Sequence, residues 1–237
     1  MKRKIIDVSQ WQGWIDWDLV KRSGVDGAII RCGYGNDMAT QDDWHFHRNT
    51  DECERLGIPY GVYIYSYAAD TEMAKSEAAH VLRLVKGKKL SYPIYIDLEE
   101  NNSKGFAKQA ANVFGDEIEK SGYWCGVYAS LSWWENYLKG LERFTKWVAH
   151  WDVDKPGIDC DMWQYSSNGR VSGINGRVDM NYCYRDFTKL IKHKKTLDDI
   201  AKEVIRGEWG NGKERRKKLE KAGYDYKTVQ ARVNEIL

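Results

Sequence analysis

The sequence predicts an α/β fold in which crossover helices join parallel strands into a sheet, open or closed into a barrel, with a small three-helix bundle behind it. Three observations predict it. Strand-like and helix-like patterns alternate up to Ser130, short strands then follow one another quickly, and a Lys-rich stretch at 191–195 precedes a fresh helical pattern.

Taken in order, Lys4–Ser9, Gly27–Gly33, Pro59–Tyr67, Tyr92–Glu99 and Tyr123–Ser130 are short runs rich in β-branched and aromatic residues, which suit strands. Between them, Asp43–Leu56, Thr71–Val85 and Gly105–Lys120 carry apolar residues at helical spacing. After Ser130, strands are expected at Lys146–Trp151, Asp161–Ser166 and Val178–Tyr184, with turns at Lys-Pro-Gly and Ser-Asn-Gly and little room for helices. The Lys-rich segment lacks apolar periodicity and reads as a linker. Behind it, Thr196-Leu-Asp-Asp199 fits a capping box, and Leu197, Ile200, Ala201, Val204 and Ile205 fall on one helical face. Gly207 and Gly210–Gly212 break that helix, Gly223 breaks a second around Leu219, and Val229, Val233 and Ile236 face one way on a third.

Of the 237 residues, 42% are hydrophobic and 30% charged, a globular composition able to bury a full core. The net charge of +2 gives no field that would favour nucleic acid as a partner. The first residues, Met-Lys-Arg-Lys-Ile-Ile-Asp, lack the apolar core of a secretory signal, and no stretch approaches a membrane span. Synthesis in the cytoplasm and no membrane insertion are therefore expected. The five cysteines form no C-x-x-C pair and read as mostly buried thiols. The five histidines show no metal-ligand spacing, so neither a metal nor a cofactor is expected. Neither a serine elbow nor a Cys/His nucleophile pattern is present. Eleven Trp and fifteen Tyr are an excess that suits the walls of a sugar-binding cleft, although a plain core would absorb many of them.

Three of the strands end in carboxylates: Asp7 after Lys-Ile-Ile, Asp97 and Glu99 in Tyr-Ile-Asp-Leu-Glu, and Asp179 after Gly-Arg-Val. Parallel α/β folds place their active sites at the C-terminal ends of strands. Asp97 and Glu99 are two residues apart, so on a strand both point to one face. Two acids held together raise one pKa, which suits a general acid kept protonated beside an ionised partner. One strand-end acid commonly caps a helix or meets solvent; four converging acids suit glycoside hydrolysis.

At these residues the sequence resembles the family 25 glycoside hydrolases, which are lysozymes. Asp7-Val-Ser-Gln-Trp-Gln-Gly13, Gly61-Val-Tyr-Ile-Tyr65, Tyr95-Ile-Asp-Leu-Glu99, Trp147-Val-Ala-His-Trp151, Trp163-Gln-Tyr165 and Val178-Asp-Met-Asn181 occur in the family's order, from residue 4 to about 187. The resemblance implies an irregular, TIM-like β/α barrel of about five β/α units plus further strands. It also implies cleavage of the β-1,4 bond between N-acetylmuramic acid and N-acetylglucosamine in bacterial peptidoglycan. It further implies Glu99 as acid/base and Asp97, Asp7 and Asp179 as the other carboxylates. Tyr63, Tyr65, Trp163, Gln164 and Trp151 are the implied substrate contacts; Tyr63 and Tyr65 share a strand face, and core packing accounts equally well for Trp163 and Trp151. Three mechanisms stay open: attack by the substrate's own acetamido group held by Asp97, direct carboxylate attack, or inversion through water. A chitin-active hydrolase and a catalytically weak peptidoglycan-binding protein are the alternative readings.

The C-terminal block, Leu197-Asp-Asp-Ile-Ala-Lys-Glu-Val-Ile205, Gly207-Glu-Trp-Gly-Asn-Gly212 and Ala222-Gly-Tyr-Asp-Tyr226, resembles the Cpl-seven (CW-seven) wall-binding repeat of phage lysozymes. The expected division is a catalytic barrel at 1–190, a linker at 191–196 and the repeat at 197–237. Trp209 and Tyr226 are candidate stacking surfaces, and Arg206 and Arg215 candidate partners for muropeptide carboxylates; core packing accounts for Trp209 at least as well. Such repeats usually occur in tandem, so a single one leaves open homo-oligomerisation as a source of avidity. Together the resemblances imply a phage-type endolysin, made without a signal peptide and acting on the wall after release.

Overall fold

The computed structural model describes residues 2–191, 197–222 and 224–237, so Lys192–Thr196, with most of the expected linker and its capping box, and Gly223 lie outside the described residues. Two compact units, Met1–Lys192 and His193–Leu237, divide the chain. Among the described residues, no helix is long and apolar enough to cross a membrane.

In the first unit, eight strands close into a barrel: β1 (Arg3–Val8), β2 (Gly27–Tyr34), β3 (Tyr60–Tyr65), β4 (Ile94–Asp97), β5 (Cys125–Ser130), β6 (Thr145–Ala149), β7 (Met162–Gly169) and β8 (Val178–Cys183). Neighbours from β1 to β7 pair in parallel; β8 closes the ring antiparallel to both β7 and β1. A helix follows each of the first five strands: α1 (Trp17–Arg22), α2 (Phe46–Leu56), α3 (Thr71–Val85), α4 (Ala107–Lys120) and α5 (Leu131–Asn136). Among the described residues of this unit, no long helix follows β6, β7 or β8, only the four-residue α6 (Phe187–Leu190). The fold is thus the barrel of five β/α units plus further strands that the sequence implies.

Strand alternation sorts the side chains into two cores. Ile6, Ile30, Val62, Ile64, Ile94, Ile96 and Val127 point outward and pack under the helices. Ile5, Ile29, Tyr95, Tyr128, Trp147 and Met162 point inward and fill the barrel. Trp147 is its centrepiece, with edge-on contacts to Tyr95 and Tyr128 at ring separations of 5.0 and 4.6 Å. Room for these rings comes from Gly126: a Cβ there would lie 2.3 Å from the Tyr95 ring.

Two helices depart from the sequence expectation. Neither α1 nor α5 was foreseen, and α5 occupies the stretch after Ser130 where little room was expected. Each has only six residues, too short for a periodic signal, and each is set by its cap: the side chains of Asp16 and Ser130 accept from the backbone N–H of Leu19 and Trp133. α2 also starts three residues later than expected, because Asp43 is a loop anchor. Its fully buried carboxylate accepts from Arg31 Nε, Gln10 N and His45 N.

Glu77 of α3 anchors the loop that follows β3. Fully buried, it accepts from Ser66 Oγ at 2.6 Å and Tyr67 N at 2.7 Å. Desolvation raises it from the ordinary 4.5 to about 7 despite these bonds. A carboxyl whose folded pKa is raised stabilises the fold below its unfolded pKa, and that contribution is lost as pH rises through the folded one. The shift from 4.5 to about 7 corresponds to roughly 3 kcal/mol. Stability is therefore expected to decline from about pH 4.5 to 7, and Glu77→Gln to flatten the decline; urea unfolding across that range is the check, and an unaltered slope contradicts it.

The second unit contains α7 (Leu197–Ile205), α8 (Gly212–Lys221) and α9 (Tyr226–Ile236) around Ile200, Ala201, Val204, Leu219, Val229 and Val233. Leu197 and Ile205, expected on the buried face of α7, are exposed, because they lie at the ends of a nine-residue helix whose centre meets α9.

Candidate active site

The four acids singled out from sequence meet at one mouth of the barrel. Asp7 stands next to last in β1 and lies directly opposite Asp179. Asp179 stands at the start of its strand rather than ending it as expected, and reaches the same mouth because β8 runs antiparallel, while Asp97 ends β4. Glu99 lies beyond the strand end, so strand alternation does not by itself fix its direction; it reaches the same cleft from the loop. All four line two adjoining cavities that share them and Tyr63. One lobe, of about 170 Å³, extends toward Trp147, Trp151, Gln164 and Ser167. The other, of about 360 Å³, extends toward Trp11, Gln12, Arg31 and Tyr65. The carboxylates stand where the lobes join.

Asp7 is the most elaborately held. Its Oδ2 accepts from Gln164 Nε2 at 3.0 Å and from Asn181 Nδ2 at 2.7 Å. Each amide is fixed from behind: Trp151 Nε1 and Tyr128 OH donate to Gln164 Oε1, and Trp147 Nε1 donates to Asn181 Oδ1. Burial first and the Asp179 charge second push Asp7 well above the ordinary carboxylate range, against these donors. Asp179 is raised by burial and lowered by its hydrogen bond with Asp7, so the two carboxyls titrate as a pair.

Burial, then the Glu99 and Asp7 charges, hold Asp97 well above its ordinary value, while Arg31 works against them. Its Oδ1 is buried without a hydrogen-bond partner among the described residues. Such an atom in a cleft is poised for a donor that a ligand would bring. Glu99 is exposed at the mouth, yet partial desolvation and the Asp179 and Glu100 charges raise it too.

The two tyrosines of β3 now differ. Tyr63 touches both lobes and lies edge-on to Trp147, whereas Tyr65 lines only the larger lobe, with its hydroxyl 3.5 Å from Glu100. Trp151 and Gln164 line the smaller lobe. Trp163 does not join them: strand alternation puts it on the outer face beside Tyr165 and Tyr182, with Nε1 donating to the His150 carbonyl. Sequence reasoning singled out neither Asn181, Tyr128, Trp147 nor Arg31 for the site. Asn181 and Trp147 stood inside the quoted motifs, and their inward parity was a usable signal; Arg31 had none.

In the second unit, Trp209 is half-buried against the small core, its Nε1 donating to Glu203 and its ring edge-on to Tyr224. Tyr226 packs on the same core, under the Arg216 guanidinium. Arg206 pairs with Glu208, and Arg215 spends its nitrogens on Gly210 O, Gln230 and Asn211.

Residues 6–174 match the family described as glycosyl hydrolases family 25, and residues 198–237 match the CW_7 repeat. The autolytic lysozyme of Clostridium acetobutylicum is 30% identical over 183 residues, which cover 75% of this chain and 55% of that protein. The lysozyme of Streptococcus phage Cp-7 is 27% identical over 249 residues, covering 98% of this chain and 69% of that one. Among solved structures, the modular autolysin LytC from Streptococcus pneumoniae, in complex with a synthetic peptidoglycan ligand, superposes with a TM-score of 0.68 at 33% identity, over 77% of this chain and 47% of that chain. The chain thus spans about half the length of the clostridial and pneumococcal proteins.

Proposed function

This chain belongs to glycosyl hydrolases family 25, and from that premise we propose that it hydrolyses bacterial peptidoglycan at the β-1,4 bond between N-acetylmuramic acid and N-acetylglucosamine. The observation that carries the reading is the set of four carboxylates at the junction of two cleft lobes, which lets one sugar lie to either side of the bond to be broken.

Glu99, reachable from solvent and raised above its ordinary value by desolvation and the Asp179 charge, gives its proton to the glycosidic oxygen as the bond from the anomeric carbon to that oxygen breaks. The acetamido carbonyl oxygen of the same sugar bonds to the anomeric carbon from the opposite face, while Asp97 accepts the acetamido N–H and balances the charge that develops on it. Water then attacks the anomeric carbon as the bond from that carbon to the acetamido oxygen breaks, and gives its proton to Glu99, which restores the acid. The unpartnered Asp97 Oδ1 favours this substrate-assisted course over direct carboxylate attack. Asp7 and Asp179 form the wall opposite, with Tyr63 and Trp151 as sugar contacts. The 197–237 unit serves as the wall anchor. This agrees with its match to the CW_7 repeat.

Purified peptidoglycan and chitin, offered separately at equal weight, test the substrate assignment. New reducing ends are expected from the former, with a rate on chitin lower by an order of magnitude or more; comparable or faster chitin hydrolysis overturns it.

A further inference from the structure

Two tryptophans stand largely out of the protein: Trp11, on the wall of the larger lobe, is 77% exposed, and Trp44, whose loop bonds the Trp11 turn, 83%. Leaving an indole in water forgoes its hydrophobic burial, so two on adjoining loops call for an occupant. A third, Trp14, is 72% exposed but already has the Arg48 guanidinium stacked on its ring at 3.6 Å. It is spoken for; among the described residues no comparable ring or cation contact covers Trp11 or Trp44.

Both are held on prepared backbone. Trp11 sits in the short 3-10 turn Gln10–Gln12, whose N-terminus is closed by the reciprocal bonds of Ser9 and Gln12 and whose C-terminus by the Gly13 N–H donating to Gln10 O. Trp44 precedes α2, its N–H facing Gln10 Oε1 at 3.4 Å. The buried Asp43 staples the two loops, accepting from Gln10 N on one and His45 N on the other while Arg31 Nε fixes it from the barrel. The rings therefore project from adjoining, mutually pinned loops, and Trp11 also lines the lobe that ends at the carboxylates. Indole faces on a rigid ledge suit the flat C–H faces of pyranose rings.

Resting on the muramidase reading above, we propose that Trp11 and Trp44 form a stacking ledge that carries the glycan strand beyond the larger lobe, so that the enzyme grips several sugars on that side of the cleaved bond. Trp11 serves as the step between lobe and ledge, and Trp44 as its outer end. The ledge confers a preference for long strands over short fragments.

The test measures binding rather than turnover, so that it stands apart from the chemistry. In a Glu99→Gln background, affinity is compared for peptide-free peptidoglycan glycan strands and for a tetrasaccharide of the same sugars, with and without Trp44→Ala. Loss of one stacking partner should weaken binding of long strands about threefold to tenfold. The tetrasaccharide, seated across the carboxylates, should keep its affinity, and Trp44→Phe should restore most of the long-strand binding. Equal affinities for long strands with and without Trp44, or an equal loss on both ligands, overturns the ledge. If instead the parent chain releases no reducing ends from peptidoglycan, the muramidase reading fails independently of this result.

Discussion

Glu99→Gln is expected to lower peptidoglycan hydrolysis by about two to four orders of magnitude while leaving folding and wall binding intact, because the amide keeps the shape of the acid and cannot donate its proton. Glu99 lies outside both barrel cores and is exposed, so its replacement asks little of the fold. Initial rates on purified wall, with thermal unfolding as control, are the measurement. Near-normal rates contradict its role. The pH profile adds a sign: partial desolvation and the Asp179 charge raise Glu99, so its acid form persists above the usual glutamate range. Taking away that charge with Asp179→Asn lowers the Glu99 pKa, and the alkaline limb of the residual activity should move to lower pH.

Asp97→Asn is expected to cut kcat by about two to three orders of magnitude, the scale of losing one preorganised contact to transition-state charge, with a smaller change in KM. A loss below tenfold would make Asp97 peripheral. Stability should move the opposite way. Burial and neighbouring acids hold Asp97 well above its ordinary value, so its ionised form opposes folding as pH rises. The asparagine variant, which never ionises, should therefore unfold at a higher temperature than the parent at neutral and alkaline pH. A residue whose only role is structural would not lose activity while gaining stability.

Much of the barrel was legible because each strand is a short apolar run and each long helix carries its own period. The crowding of strands after Ser130 gave the presence of β6, β7 and β8 and their helix-poor connections, but not α5 within that stretch nor the antiparallel closure by β8. What stayed hidden was short or distant. The six-residue helices α1 and α5 are set by single caps, Asp16 and Ser130, which leave no periodic trace. The four acids were legible together because each stands at or near a strand terminus, Asp7 and Asp97 at C-terminal ends, Glu99 just past one and Asp179 at the start of the antiparallel β8. Their pairing with Gln164 and Asn181 was not, since these lie 157 and 174 residues from Asp7 along the chain. Trp163 shows the converse limit: its motif neighbour Gln164 points into the cleft, and the one-residue offset turns the indole to the outer face.

The central claim, that the carboxylates cut the bond on the muramic acid side, is tested most directly by the chemistry of the ends released. Purified peptidoglycan is digested to completion, the new reducing ends are reduced with borohydride, and the fragments are analysed by mass after acid hydrolysis. The account predicts muramitol as the new sugar alcohol. Glucosaminitol in its place, or fragments released without any new reducing end, would contradict it.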